Sequence, residues 1–279
     1  SFYWDSLQQA NNPLYLESRT NFEKSLKTYL ARAKKNSNDE IYRIPIVVHI
    51  IHNNSNDIIG GTGNSNINED QILSQIEVLN EDFRRNNKDT IKTSPIFVSI
   101  AADTHIEFCL ASVSPDGSFS NGITRHYSNE LPFNPNSSLE NDKLKAYGYW
   151  PADQYLNIWV TELKNDILGY ATFPSDVNLD GLHNYYTPLT DDGVVIDFRV
   201  FGRKTGIANE PGYNLGRTTT HEVGHWLGLF HIWGDQENCS ATDFCTDTPN
   251  QHSPSNGCPI NAFSCTSDDM TENYMDYSF

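Results

Sequence analysis

Residues 221–231 read "HEVGHWLGLFH", which sets three histidines and one glutamate on a fixed spacing. His221 and His225 are four apart, so on an α-helix they share one face, about a turn from each other. Two imidazoles placed this way reach a single ion at a Zn–N distance of about 2.0–2.1 Å. Glu222 follows the first histidine and points to the side, where it can hold a water at the metal without displacing it. Gly228 tolerates positive φ, so the helix can break there and the chain can turn sharply. His231 then approaches from below and completes a three-histidine site, leaving a fourth position open. A closed four-ligand site would be structural, whereas three histidines plus water are of catalytic type. Zinc would bring the pKa of that water to about 7 and polarise a carbonyl, while Glu222 would take the proton and pass it to a leaving amine. The reaction implied is hydrolysis of a peptide bond without a covalent intermediate. A bare H-E-x-x-H arises by chance; in the extended H-E-x-x-H-x-x-G-x-x-H five positions each have a separate physical task. The competing reading, a polar helix with incidental histidines, leaves their grouping beside Trp226, Leu227 and Leu229 unexplained.

Such a site needs a rigid helix, and "NLGRTTTHEVGHWLGLF" (214–230) predicts one, with Asn214 as its cap and Val223, Trp226 and Leu227 facing inward. Upstream, "INEDQILSQIEVLNEDFRRNN" (67–87) predicts a helix capped near Asn68, with Ile72, Ile76, Leu79 and Phe83 on one face. "YRIPIVVHIIH" (42–52) is a β-branched run that reads as a buried strand. "HIEFCLAS" (105–112), "QYLNIWVTEL" (154–163) and "DGVVIDFRVF" (192–201) are further strands. Strands interleaved with helices indicate an α/β arrangement around a mixed, twisted sheet. Residues 14–35 carry Phe22, Leu26, Tyr29, Leu30 and Ala33 at helical spacing and predict a helical arm. His49 and His52 lack neighbours at ligand spacing and are expected to be structural. Past residue 231 the periodicity fades into Cys, Pro, Asn and Asp.

The 279 residues suffice for a sizeable core, and no run approaches the roughly 20 apolar residues of a membrane span. A net charge of −17 offers no basic groove to phosphates, which argues against nucleic acid; it suits calcium and basic substrates, or solubility alone. The start of the chain has no apolar core with basic flanks, so a signal peptide is absent or already removed. Cys109, in an apolar run, is expected to be a small buried residue. Cys239, Cys245, Cys258 and Cys265 crowd an irregular segment, suggesting disulfides and a secreted protein. A four-cysteine zinc site is the rival, weakened by the lack of paired C-x-x-C spacings. In "TDFCTDTPN" (242–250), Asp243, Thr246, Asp247 and Thr248 offer the hard oxygens that calcium takes, or else form an Asx-turn loop. "DVNLDG" (176–181) offers Asp176, Asn178 and Asp180 in a calcium-loop opening, but Thr187 stands where an EF-hand has glutamate.

The extended motif followed by "ENYMDYSF" (272–279) resembles the metzincin metallopeptidases. With "IPIVVHI", "QIEVLNEDFRRNN", "YLNIWV", "LGYATFP", "DGVVI" and "DTP", residues 41–279 are similar to the pappalysin family. The resemblance implies that Met275 forms an apolar floor beneath the zinc. It also implies that Tyr277 stabilises the tetrahedral intermediate or serves as a movable extra ligand. It implies a secreted, extracellular, bacterial zinc endopeptidase acting on proteins or peptides, with a calcium site near "DTP". The members most like this chain cut before lysine or arginine. The implied architecture is a helical arm (1–40), an upper catalytic subdomain with sheet and zinc helix (41–228) and an irregular lower subdomain (229–279). Cys239–Cys265 would match a family disulfide, while the partner of Cys258 and the acidic residue of the S1′ pocket would lie beyond Phe279. Cys245 stands where relatives carry an apolar residue. Family zymogens in some cases cap the zinc with a pro-segment cysteine; since none precedes Cys109, an activated chain is expected. The rival from another class is a calcium-stabilised binding module with a vestigial zinc site, against which intact Glu222 speaks. Another zinc hydrolase, such as an amidase on a small substrate, is a third reading, disfavoured by the methionine turn. The sequence leaves the oligomeric state open.

Overall fold

The computed structural model describes residues 40–174, 189–208, 211–257 and 259–278, together with 20, 23, 24, 26–28 and 31. Its frame is a six-stranded mixed sheet. Strand β1 (Tyr42–His52) is the long central member, and it pairs in parallel with β2 (Ile106–Leu110) through its first half and β3 (Ile123–Tyr127) through its second. On its other side it pairs with β4 (Leu156–Thr161). The short strand β5 (Gly169–Ala171) closes the far edge, antiparallel to β6 (Val194–Asp197), which is itself parallel to β4. From Ile46 onward β1 is buried on both faces, the expected state of a β-branched run at the centre of a parallel sheet.

Side chains alternate across the sheet with a period of two. Ile46, Val48 and Ile50 join the main core, where they meet Ile72, Ile76, Leu79 and Phe83 of helix α1 (Glu69–Phe83). The predicted face of that helix is thus its buried face, and the Asn68 side chain accepts from the Gln71 N–H at 3.0 Å to cap it. Asn80 grips β2 at Phe108, donating to its carbonyl at 2.9 Å and accepting from its amide at 2.7 Å. On the opposite face, Ile51, Trp159 and Val195 pack with Leu144 of helix α2 (Ser138–Ala146). His49 lies in that second layer, fully buried, with one ring nitrogen 2.7 Å from the Thr124 hydroxyl and the other 3.0 Å from the Asn157 side-chain oxygen. Its role is structural, as expected.

Helix α3 (Arg217–Trp226) packs on β5, β6 and α1. It is shorter than its sequence pattern and is not capped by Asn214. The position before its first turn is Gly216 at φ 74°, with no side-chain cap. Gln75 of α1 instead donates to the Gly216 carbonyl at 3.0 Å, so tertiary packing holds this helix start. Cys109 also departs from expectation: it is exposed, because β2 is an edge strand whose Cys109 side faces solvent.

Beyond α3 the chain is irregular apart from the two-residue strands β7 (Phe263–Ser264) and β8 (Ser267–Asp268). A disulfide between Cys239 and Cys265 closes this segment, with Cα atoms 5.3 Å apart. Cys245 is a half-buried free thiol, and Cys258 lies outside the described residues. In the N-terminal arm residues 20, 23, 24, 26–28 and 31 are helical, whereas 175–188, which include Asp176, Asn178 and Asp180, lie outside the described residues. Among the described residues no helix is long and apolar enough to cross a membrane.

Candidate active site

Helix α3 brings His221 and His225 to one face, and Gly228, at φ 97°, turns the chain back so that His231 joins them. The three Nε2 atoms lie 3.1, 3.2 and 3.3 Å from one another. Each Nδ1 is already committed. That of His221 donates to the Tyr274 carbonyl at 2.6 Å, and that of His225 to the Leu229 carbonyl at 2.8 Å. That of His231 donates to the Asp235 carboxylate. Since these oxygens accept, each Nδ1 carries a proton, and in the neutral ring the bare Nε2 lone pair faces the other two. Burial disfavours the charged form of His221, lowering it to about 4, and holds His225 well below its ordinary value, the latter with help from the neighbouring histidines. Three lone pairs converging without a proton to share form a cation site. A tetrahedral ion about 2.0–2.1 Å from each nitrogen would separate them by roughly 3.3–3.4 Å, close to the spacing seen. Among the described residues this is the single group of three or more His, Cys, Asp or Glu side chains placed to hold a metal ion.

The surroundings fix these rings. Met275 is buried in one apolar cluster with Ile232 and Trp233, with Tyr277 packed against it. Its sulfur lies so close to Gly224 that a Cβ there would meet it at 2.5 Å, so any side chain at 224 would displace the methionine from this face of α3. Trp233 stacks on His231 with ring centroids 4.2 Å apart. Tyr277 stands 5.8 Å from the His221 ring and 4.9 Å from that of His231. Glu222 is buried beside the triad, and burial raises its carboxyl pKa. The indole N–H of Trp226 donates to Asp192 at 2.7 Å, anchoring the end of α3 to the turn before β6.

All three histidines, Glu222, Gly228, Met275 and Tyr277 thus gather in one place. Asp235 and Tyr274, which orient His231 and His221, were not singled out from the sequence. "HIWGD" does carry an acid four residues after the last histidine, a spacing that signals such a partner.

The second candidate site is apart from this one. Asp243 is buried and accepts from the Cys245 amide at 2.9 Å, and its carboxyl is pushed up to about 6 by burial and by the charge of Asp247. Thr248 bonds the same carboxyl, and the Thr248 amide donates to the Cys245 carbonyl at 3.4 Å. From this loop a row of rings runs to the triad: Phe244 to Phe230 at 5.2 Å, Phe230 to Phe173 at 5.3 Å, and Phe173 to His225 at 5.3 Å. The Lys27 ammonium of the N-terminal arm stands 5.3 Å from the centroid of Phe244.

Comparison with known proteins agrees with this geometry. The family model for peptidase M43, described as pregnancy-associated plasma protein-A, matches residues 138–279. An extracellular metalloprotease of Neurospora crassa is 40% identical over 128 residues, which are 44% of this chain and 41% of that protein. One of Colletotrichum graminicola is 36% identical over 151 residues, 52% of this chain and 50% of that protein. The chain therefore spans two-fifths to half the length of these curated relatives. Among solved structures, mature mirolysin of Tannerella forsythia, in complex with a cleaved peptide, superposes with a TM-score of 0.74 at 43% identity, covering 86% of this chain and 85% of that one. A promirolysin mutant of the same organism superposes with a TM-score of 0.82 at 39% identity, covering 99% of this chain and 85% of that one.

Proposed function

This chain belongs to the peptidase M43 family, and from that membership we propose that it is a zinc-dependent endopeptidase acting outside the cell on proteins or peptides. The observation that carries the reading is the convergence of three bare Nε2 lone pairs beside a buried carboxylate. His221, His225 and His231 would hold zinc, which would supply Lewis acidity toward a water and a carbonyl. Glu222 receives the proton of the attacking water and delivers it to the departing amine. Its raised pKa suits it to hold that proton between the two transfers. The Tyr277 hydroxyl donates to the oxygen on which charge develops, from its place beside His221 and His231. Met275 and Trp233 keep the floor of the site apolar and dry. In this reading 41–228 form the upper catalytic subdomain and 229–279 the lower one.

Calcium at Asp243, Thr246, Asp247 and Thr248 would relieve the repulsion between the two carboxylates and brace the loop beneath Phe244. The pro form of mirolysin aligns with a larger share of this chain than the mature form does. This supports reading the arm before residue 41 as a pro-segment, where the sequence alone suggests an activated chain. The contact of Lys27 with Phe244 fits an arm laid along the row of rings that leads to the triad. The relatives named above are fungal and bacterial, so the expected bacterial origin is left open.

Cleavage before lysine or arginine is the specificity implied by the resemblance. A timed digest of a denatured protein mixture, with new termini read by mass spectrometry, tests it. New N-termini beginning with Lys or Arg, abolished by a zinc chelator, support the full reading. Other N-termini, equally chelator-sensitive, keep the peptidase and discard the specificity.

A further inference from the structure

The hydrogen bond that orients His221 ends on a backbone carbonyl, that of Tyr274. A carbonyl in an irregular segment points wherever its own peptide is held. The N–H of the same peptide, that of Met275, donates to the Asn273 side chain at 2.9 Å, while the Tyr274 side chain is tied to the end of α1, far from the motif in sequence. The Tyr274 hydroxyl donates to the Asp82 carboxylate at 2.9 Å, and Asn87 donates to both, at 2.9 Å to the hydroxyl and 3.2 Å to the carboxylate. The other carboxylate oxygen of Asp82 accepts from the Thr220 hydroxyl at 2.8 Å and pairs with the Arg217 guanidinium at 2.9 Å. Arg217 and Thr220 belong to the zinc helix, and Thr220 immediately precedes His221. The guanidinium also lies 5.1 Å from the centroid of the Tyr274 ring. The Asp82 side chain is fully buried. A buried carboxylate is retained at a cost in desolvation, and its partners here are the two segments that meet at His221.

We propose that Asp82 is a positioning residue for the metal site: it locks the zinc helix to the peptide of Tyr274, so that the Tyr274 carbonyl meets Nδ1 of His221 and aims its Nε2 at the ion. The inference rests on the zinc reading and not on peptidase activity. A partner outside the ligand shell that fixes a ring in this way typically changes metal affinity by about 10–100-fold.

The test is zinc affinity, measured by chelator competition on Tyr274→Phe, which deletes only the hydroxyl, and on Thr220→Val, which deletes another partner of Asp82 but leaves the Tyr274 link. Cobalt-loaded protein supplies a visible spectrum that reports ligand geometry. Tyr274→Phe is expected to weaken zinc by about ten-fold or more and to shift the cobalt bands, while Thr220→Val changes zinc affinity less than three-fold. Wild-type affinity and spectrum in Tyr274→Phe overturn the proposal. Asp82→Asn, with the same two readouts, serves if Tyr274→Phe does not fold; unchanged zinc affinity there also overturns it. A wild-type chain that binds no zinc would instead sink the functional reading itself.

Discussion

At the scale of single residues, the motif announces its ligands because the helix repeat alone fixes how His221 and His225 face each other. Glu222 and Gly228 are legible for the same local reason. Asp235 is half-legible, through its spacing from His231, but Tyr274 acts through a carbonyl, and every residue has one. Asp82 lies over a hundred residues upstream of the motif, and no local pattern ties it to His221. Tyr277 stands beside two ligand rings, where a phenol can donate to a developing oxyanion. Tyr277→Phe should lower kcat by about a hundred-fold while leaving KM and bound zinc near their wild-type values, as steady-state kinetics and metal analysis would record. A second residue-scale effect concerns stability. Burial, reinforced by the charge of His126 and opposed by the Asn157 hydrogen bond, holds His49 at about 4 in the folded chain, against 6.5 unfolded. Above pH 6.5 the ring is neutral in both states, and its environment costs nothing. As pH falls from 6.5 towards 4 the unfolded chain takes up a proton that the folded chain refuses, so stability declines across that window, by about 3 kcal/mol at its foot. His49→Gln should flatten this part of the profile of urea midpoint against pH; a difference curve of wild type minus variant that shows no slope there would contradict it.

At the scale of elements, long periodic segments were readable and short ones were not. The stretch 42–52 is β1 to the residue, and the apolar face of α1 is the one predicted, because each carries its own hydrophobic period. Strand β5 has three residues beginning with glycine and becomes a strand only by pairing with β6. Helix α2 buries Asn141, Leu144 and Lys145, of which one is apolar, so no hydrophobic period shows. The start of α3 is held by Gln75 from another helix and not by Asn214, and the apolar run around Cys109 does not reveal that its strand lies at an edge. The segment beyond α3 lacks a regular scaffold, so the disulfide between Cys239 and Cys265, 26 residues apart, carries an unusual share of its order. Replacing both cysteines by serine should lower unfolding free energy by about 3 kcal/mol in urea titration, through the added freedom of the unfolded loop. A loss near zero would mean that packing around Trp233 and Met275 suffices.

At the scale of the whole molecule, the sheet and α1 form a rigid bed for α3, and the irregular segment folds back to supply Met275, Tyr274 and Tyr277 from below the histidines. The catalytic group is therefore assembled from both sides of a junction, which local sequence patterns announce only in part: the motif marks one side and the methionine turn the other. The N-terminal arm meets the same region through Lys27 and Phe244. If the arm is a pro-segment, chain cleaved between the arm and residue 41 should hydrolyse a fluorogenic peptide at least ten-fold faster than the intact chain, and equal rates would count against that reading. The central claim is that zinc held by three histidines becomes a peptidase only with the carboxylate of Glu222. It is tested most directly by loading wild type and Glu222→Gln to one zinc per chain and timing their cleavage of the same denatured protein. The account predicts equal zinc content and a rate at least 10²-fold lower in the variant, about 10²–10⁴-fold being usual for a lost general base. Zinc-loaded variant cutting at the wild-type rate would contradict it.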